Sequence, residues 1–211
     1  MLKYMTKKTK RHEVILATIP LLLITAGCLI SEDPFYEEND LVEDDRLIGT
    51  YGEQTNRPSW YVEKQIAFNG HYTVTYVDAS SPRCHMTFDG ALFQIGTNRF
   101  LDLVPTLEAC DHVGGAASPI EYFQGITLQP LHLLLRISPA TNSIQFRIVS
   151  EEGRRAALAA APEMWDTRRP PHLAKMLPNT SKQRQFLARF GSDTNIFSHV
   201  STLYRVKVSE R

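Results

Sequence analysis

The chain has 211 residues, and its 23 lysine and arginine residues are balanced by 23 aspartate and glutamate residues. Because 43% of the residues are hydrophobic, the composition excludes intrinsic disorder over most of the length. A net charge of zero also argues against a nucleic-acid-binding protein. Once an N-terminal segment is set aside, the length fits one domain.

The first 27 residues have the layout of an export signal. Five basic side chains precede an apolar stretch at residues 14–26, which is shorter than the about 20 residues that a spanning helix needs. The segment then ends in Ile-Thr-Ala-Gly-Cys at residues 24–28. This ending resembles the bacterial lipobox, with Thr25 where that family prefers leucine. The alternatives are a buried helix with a chance Ala-Gly-Cys sequence, or a true transmembrane anchor.

The lipobox resemblance implies a diacylglyceryl group on the Cys28 thiol and removal of the signal peptide, residues 1–27. The mature chain would then be held on the membrane by its acyl chains. In such lipoproteins an aspartate after the cysteine resembles an inner-membrane retention signal, and Leu29 takes that place here. We therefore expect a lipoprotein of the outer membrane that faces the periplasm.

Charge is unevenly distributed along the remaining chain. Residues 32–45 contain eight acids and no base, which predicts an extended, solvated tether over residues 28–45. A calcium site is the alternative, although the segment lacks an Asp-x-Asp-x-Asp-Gly loop. Residues 151–189 contain eight bases and four acids. This surplus indicates the solvated face of one or two helices, or a basic patch for anionic lipid or an acidic partner.

Residues 46–211 are expected to form one β-rich domain. Alternating apolar side chains, or β-branched and aromatic composition, predict eight strands: residues 46–52, 59–68, 71–78, 86–95, 99–104, 126–137, 144–148 and 202–208. Asn69-Gly70 is a strong hairpin signal that would place Val62 opposite Val77. A second turn, at residues 139–142, would pair Ile137 with Ile144.

Cys84 and Cys110 flank a third predicted hairpin, whose turn is Gly96-Thr97-Asn98. If Ile95 faces Arg99 across this turn, the same register places the two cysteines opposite each other. Opposed positions have the short Cβ separation that a disulfide requires. Two spare cysteines in an exported chain therefore indicate a disulfide.

Other states of these cysteines stay open. A bulge near Pro105 would change the register and move the two cysteines out of opposition. Two free thiols are one alternative to the disulfide. A Cys₂His₂ metal site with His85 and His112 is another. Neighbouring residues on a strand point to opposite faces, so adjacent Cys-His is a poor chelate, and no metal is expected.

Two helices are predicted before the last strand, within an insertion near residues 154–191. Residues 154–161 are rich in alanine and end at Pro162. Residues 181–190 begin at the N-cap candidate Ser181 and end at the glycine that follows. About eight antiparallel strands with one or two late helices favour a barrel or a sandwich.

The segment Asp-Arg-Leu-Ile-Gly-Thr-Tyr at residues 45–51, followed by aromatic strands and up-and-down hairpins, is similar to the start of lipocalin-like barrels. The similarity covers residues 45–105, and Tyr51 stands where those proteins carry tryptophan. It implies a mainly β, antiparallel, lipocalin-like barrel. A barrel of this kind would carry a small apolar or amphipathic ligand, an inference by fold analogy.

Motifs for nucleophilic, metal-dependent, phosphate-binding or dinucleotide-binding chemistry are absent from the sequence. We therefore predict no catalytic residues and no cofactor. Trp60, Tyr72, Tyr76 and His132 are the candidates for lining a ligand pocket, with barrel core as the alternative. Three functions follow in order: an envelope interaction or structural lipoprotein with a protein partner, a carrier of a small ligand, and an envelope hydrolase.

Overall fold

The structure is a computed structural model that describes residues 29–53, 59–77, 85–109, 131–166 and 175–206. Residues 1–27 and Cys28, Cys84 and Cys110 lie outside these ranges. The predicted signal peptide, lipidation site and disulfide therefore fall outside the described residues.

Nine strands and two α-helices occur in the described ranges. The strands are β1 (Leu29–Ser31), β2 (Gly49–Gly52), β3 (Trp60–Lys64), β4 (His71–Val77), β5 (His85–Ile95), β6 (Asn98–Ala109), β7 (His132–Pro139), β8 (Ser143–Ile148) and β9 (His199–Arg205). The helices are α1 (Glu151–Ala160) and α2 (Thr180–Phe190). Strands β2 to β9 each pair antiparallel with the next, and β9 also pairs with β2, which closes the barrel. The predicted lipocalin-like barrel, with two helices before the last strand, is confirmed.

The barrel interior is a packed apolar core. Side chains alternate between the two faces of each strand, so every second residue points inward. One buried cluster contains members from all eight barrel strands. Its largest fully buried side chains include Tyr51, Tyr72 and Phe88.

A second apolar cluster lies outside the barrel, beneath the helices. Strand residues Phe93, Phe100 and Leu134 pack there with Phe186 and Leu187 of α2. The helices thus cover the outer faces of β5, β6 and β7, and these strands are buried on both sides. A sheet region with two apolar faces explains the leucine-rich sequence of β7.

The α2 helix begins one residue earlier than predicted. Its N-cap is Asn179, whose side-chain oxygen accepts a hydrogen bond from the Lys182 backbone N–H at 2.9 Å. Ser181 therefore lies inside the helix, and the N-cap prediction is wrong. Gly191 is the C-cap, as predicted.

Two hairpin registers differ from the predictions. Val62 pairs with Val74 rather than Val77, because residues 65–70 form a longer connection in which Gly70 has a φ of 72°. Ile137 pairs with Phe146 rather than Ile144. This second error is a shift of two residues, so the same side chains still face the core.

The β5–β6 hairpin has two registers: next to the turn the pairing is one residue off the prediction, and beyond a bulge it matches the prediction. Ile95 pairs with Asn98, not with Arg99, because the turn has two residues rather than three. A bulge between Thr87 and Phe88 then shifts the register by one residue. Beyond that bulge His85 pairs with Ala109.

The acidic segment after Leu29 packs against the barrel, and the prediction of a solvated tether is wrong for residues 29–45. Strand β1 pairs with β7, and Phe35 is fully buried. Opposite charges from the later basic segment bind the acids: Lys175 contacts Glu32 at 3.2 Å, and Arg184 contacts Glu37 at 2.8 Å and Asp40 at 2.6 Å. The folded unit therefore includes residues from Leu29 onward, earlier than the predicted boundary at residue 46.

Candidate functional site

A groove of about 230 Å³ lies at the rim of the barrel, between the β5–β6 turn and the end of β7. We call it the arginine groove, and it is lined by Arg46, Thr97, Asn98, Arg99 and residues 136–139. Arg46 follows the N-terminal segment, Arg99 lies at the start of β6, and Arg136 lies in the second half of β7. Three arginines from distant parts of the sequence thus line one groove.

Asp44 holds two of these arginines in place. Its carboxylate accepts hydrogen bonds from Arg46, at 2.8 Å from Nε and 2.6 Å from Nη2, and it also contacts Arg99. The backbone N–H of Asp44 donates to the Tyr72 hydroxyl at 2.9 Å. The hydrogen bonds from Arg46 lower the pKa of Asp44, with a further contribution from the Arg99 charge. Asp44 is therefore ionised at neutral pH.

The backbone of Arg46 is fixed by two side chains. Its carbonyl oxygen accepts hydrogen bonds from the Tyr51 hydroxyl at 2.7 Å and from Arg205 Nη2 at 3.0 Å. Since Tyr51 and Arg205 belong to the paired strands β2 and β9, the position of Arg46 is tied to barrel closure.

Arg136 has a different environment. It lies directly opposite Arg147 in the β7–β8 ladder, and its Nη1 is buried without a hydrogen-bond partner among the described residues. Burial and the Arg147 charge lower the pKa of Arg136, and both effects disfavour its charged form. Like charges opposite each other destabilise a sheet. Within the described part of the chain, no acid pairs with Arg136 as Asp44 pairs with Arg46 and Arg99.

A second polar site lies on the outer face of β6 and β7. Asp102 is 1% exposed; its Oδ2 lies 2.9 Å from His132 Nδ1 and accepts a hydrogen bond from the Phe35 N–H at 3.2 Å. Its Oδ1 has no partner within the described part of the chain. Burial raises the pKa of Asp102, and the contact with His132 opposes that shift.

Ser31 lies opposite His132 in the β1–β7 pairing, which brings a hydroxyl, an imidazole and a carboxylate onto adjacent strands. The Ser31 hydroxyl oxygen accepts hydrogen bonds from Gln183 Nε2 and from the Asp33 N–H. A nucleophile and its base require a hydrogen bond between them. Among the described residues, no hydrogen bond joins Ser31 to His132. Asp102 instead holds the N-terminal segment against the barrel, through the hydrogen bond from the Phe35 N–H.

The four predicted ligand-lining residues lie on two different faces of the sheet. Trp60 and Tyr76 pair across β3 and β4 with ring centroids 4.8 Å apart, and Tyr72 is fully buried. All three pack with the interior core, whereas His132 lies on the outer face. Tyr72 belongs to the buried core and Trp60 and Tyr76 pack partly buried against it, which fits the barrel-core alternative for these three.

Sequence reasoning missed Arg99, Asp102 and Arg136 as site residues. Arg136 alternates with leucines in β7, so its outward position was visible from the pattern. The opposition to Arg147 was hidden because the predicted β7–β8 register was displaced by two residues. No sequence pattern pointed to Asp102, because its partners His132 and Phe35 are distant from it in sequence.

A scan of protein-family models, a search of curated proteins and a search of solved structures each found no match to this chain. In the described ranges, no helix has the length and apolar character needed to cross a membrane. The same ranges contain no cluster of three or more His, Cys, Asp or Glu residues suited to a metal ion.

Proposed function

We propose that this protein is a lipid-anchored component of the bacterial cell envelope, whose barrel acts through its outer surface in protein interaction or a structural role. The anchor rests on the ordered series of basic residues, a short apolar stretch and the Ala-Gly-Cys sequence that ends at Cys28. With Leu29 after the cysteine, the anchor would place the protein on the outer membrane, facing the periplasm.

The position of Leu29 gives this anchor a structural consequence. Leu29 is fully buried and belongs to β1, which pairs with β7. Because Cys28 is covalently joined to Leu29, an acyl chain on Cys28 would hold the barrel close to the membrane, with no flexible spacer.

The packed interior is the observation that favours a surface function over a carrier. A carrier barrel of eight strands must leave interior volume for its ligand. Here Tyr51, Tyr72 and Phe88 are each at most 2% exposed and fill that space together with aliphatic side chains.

Two apolar side chains on the β3–β4 connection are candidates for partner contact. Ile66 is fully exposed and Phe68 is 62% exposed. Exposed large apolar groups that lie close together are typical of interaction surfaces. We propose that an envelope protein binds at this connection.

Lipidation is tested by metabolic labelling of the full-length chain with a palmitate analogue in a bacterium that has an outer membrane. Wild type and the control Cys84→Ser should be labelled, and Cys28→Ser should remain an unlabelled, unprocessed precursor. A Cys28→Ser protein that is still processed and membrane-bound like wild type would contradict the anchor.

Surface function is tested by placing a photo-crosslinking amino acid at Phe68 and, as a control, at the exposed Lys182 on α2. We expect a discrete crosslinked envelope protein from position 68 and not from position 182. Native mass spectrometry gives the opposing outcome. A reproducible small non-peptide mass, lost on denaturation, would favour the carrier of an apolar ligand instead.

A further inference from the structure

The described residues include four large apolar side chains that are exposed, and these occur as two pairs at different places on the barrel. Ile66 and Phe68 lie on the β3–β4 connection, and we call this pair the β3–β4 tip. Val200 and Tyr204 lie on β9 and are 39% and 45% exposed. Single exposed apolar groups are ordinary on a protein surface, so the charges beside each pair decide whether it is an interaction surface.

The β3–β4 tip is held in a fixed shape. The Gln65 N–H donates to the His71 carbonyl oxygen at 2.9 Å, and the Gly70 carbonyl oxygen accepts from the Leu92 N–H at 2.8 Å. The Phe68 ring packs edge-on against the His71 ring, with the ring centroids 5.9 Å apart. A preordered apolar tip loses little conformational entropy when a partner covers it.

Two acids lie beside the tip. Glu63 on β3 and Asp89 on β5 both lie opposite Thr73, so the three side chains share the outer face of the sheet. The Gln65 amide donates to Asp89 at 3.1 Å, which places that carboxylate at the base of the tip. In the described ranges no salt bridge joins Glu63 or Asp89 to a base, and the nearby Lys64 is bound to an acid of the N-terminal segment.

The apolar pair on β9 has arginines beside it instead. Val200 lies opposite Arg147 on β8, and Arg147 lies opposite Arg136 on β7, so these three side chains form one row on the outer face. Tyr204 lies on the same face of β9. We call Arg136, Arg147, Val200 and Tyr204 the β9 face. Strands β7, β8 and β9 contain no acid, and within the described part of the chain no salt bridge reaches either arginine.

The β3–β4 tip and the β9 face are complementary. Each combines two exposed apolar side chains with two charges of one sign, acidic beside the tip and basic on the β9 face. Opposite charges across an interface favour the correct partner, whereas like charges there are costly. The tip of one molecule therefore fits the β9 face of another, while two tips or two β9 faces would repel each other. Because the two surfaces differ, such a contact between copies is heterologous.

We propose that the β3–β4 tip binds the β9 face of a second copy of this protein. The inference rests on the proposed partner contact at the β3–β4 connection, and it names that partner. The contact covers the exposed apolar side chains and sets Glu63 and Asp89 against Arg136 and Arg147. It also gives the two arginines a counter-charge, and they oppose each other in the sheet of the single chain.

The test uses two full-length copies with different epitope tags, produced together in a bacterium that has an outer membrane. The first copy carries a photo-crosslinking phenylalanine analogue at position 68, and the second copy carries the substitutions. Arg147→Glu reverses a charge of the β9 face and replaces a like-charge pair in the sheet with an opposite-charge pair, so the barrel should stay folded. Arg155→Glu is the control, an equal charge reversal on α1 at a side chain that is 67% exposed.

We expect a crosslinked product that contains both tags, with the crosslink mapped by mass spectrometry to β8 or β9. Arg147→Glu in the second copy should lower the yield of this product about tenfold, and Arg155→Glu should leave it unchanged. Immunoblotting of the uncrosslinked second copy checks that the variants accumulate equally. Should Arg147→Glu fail to accumulate, Val200→Ser, at an exposed side chain, should lower the yield as well.

The possible failures separate this inference from the proposed function. A crosslink from position 68 to a different envelope protein, with none to the second copy, overturns the inference and leaves the proposed function standing. The absence of any crosslinked protein contradicts both. A two-tag product whose crosslink maps outside β8 and β9, or whose yield is the same with Arg147→Glu as with wild type, overturns the inference alone.

Discussion

The guanidinium carbon of Arg205, at the end of β9, lies 5.2 Å from the ring centroid of Tyr51 in β2. Arg205 Nη2 also donates a hydrogen bond to the Tyr51 hydroxyl at 2.8 Å. Because β2 and β9 pair directly, this contact lies across the seam at which the barrel closes. Side chains therefore reinforce the backbone pairing of the first and last barrel strands.

Gly49 is needed for this contact. It has a φ of 148°, and an added Cβ would lie 2.7 Å from Arg205 Nη1. We expect Gly49→Ala to lower the free energy of unfolding by about 1–3 kcal/mol, measured by urea denaturation. The neighbouring Thr50→Ala is the control and should change it by less. In an Arg205→Ala background the cost of Gly49→Ala should fall, and an unchanged cost would show that the guanidinium contact is not its cause.

Asp102 should make stability fall as pH rises. Its pKa is raised by burial, so the folded state binds the proton more tightly than the unfolded state. Between the ordinary aspartate pKa of about 3.8 and the raised value, ionisation therefore favours unfolding. Asp102→Asn should gain stability relative to wild type across this window, by about 1.4 kcal/mol per unit of pKa shift. Urea denaturation at a series of pH values measures it, and the exposed Asp89→Asn is the control. A difference that does not vary with pH would contradict the prediction.

Asp44 should have the opposite pH dependence. The Arg46 hydrogen bonds lower its pKa, so its contribution is present above about pH 3.8 and is lost as the pH falls through the lowered value. At neutral pH we expect Asp44→Asn to cost about 1–3 kcal/mol, because Arg46 and Arg99 lose their shared charge partner. The difference in the free energy of unfolding between Asp44→Asn and wild type should disappear at acidic pH, where Asp44 is protonated. Asp45→Asn, at a side chain that is 83% exposed, is the control and should have little effect.

The predicted Cys84–Cys110 disulfide gains support from the register of the described residues. His85 pairs with Ala109, and the two cysteines are the next residues in the chain on either strand. We expect the exported protein to resist thiol alkylation in denaturant until it is reduced, with mass spectrometry as the readout and Cys28→Ser removing the third thiol. Replacing both cysteines with serine should cost about 3 kcal/mol. Two alkylated thiols without reductant would leave the free-thiol alternative.

Local pattern determined much of the fold. The alternation of leucines in β7 and of apolar residues in β8 predicted both strands and the face that each buries, even though their register was displaced by two residues. An error of two residues is harmless because side chains on a strand repeat with a period of two. The Asn69-Gly70 pair was a poorer guide to the β3–β4 register. It predicted a two-residue turn, whereas Gly70 adopts its positive φ at the end of a longer connection.

Contacts between distant segments could not be derived in this way. Arg184 and Asp40 are 144 residues apart, and their pairing converts a predicted tether into part of the folded domain. The sequence showed an acidic segment and a basic segment, but charge composition alone does not say whether two segments meet or remain solvated.

The sequence by itself determined the mainly β composition, the strand faces and the late helices, because each depends on neighbouring residues or on a short periodic pattern. The tertiary structure alone decided how the barrel closes through Tyr51 and Arg205, and that Arg136 lies opposite Arg147 with no acid beside either among the described residues. Those features depend on which strand edges meet in space, and that is set by the packing of the whole chain rather than by any local segment.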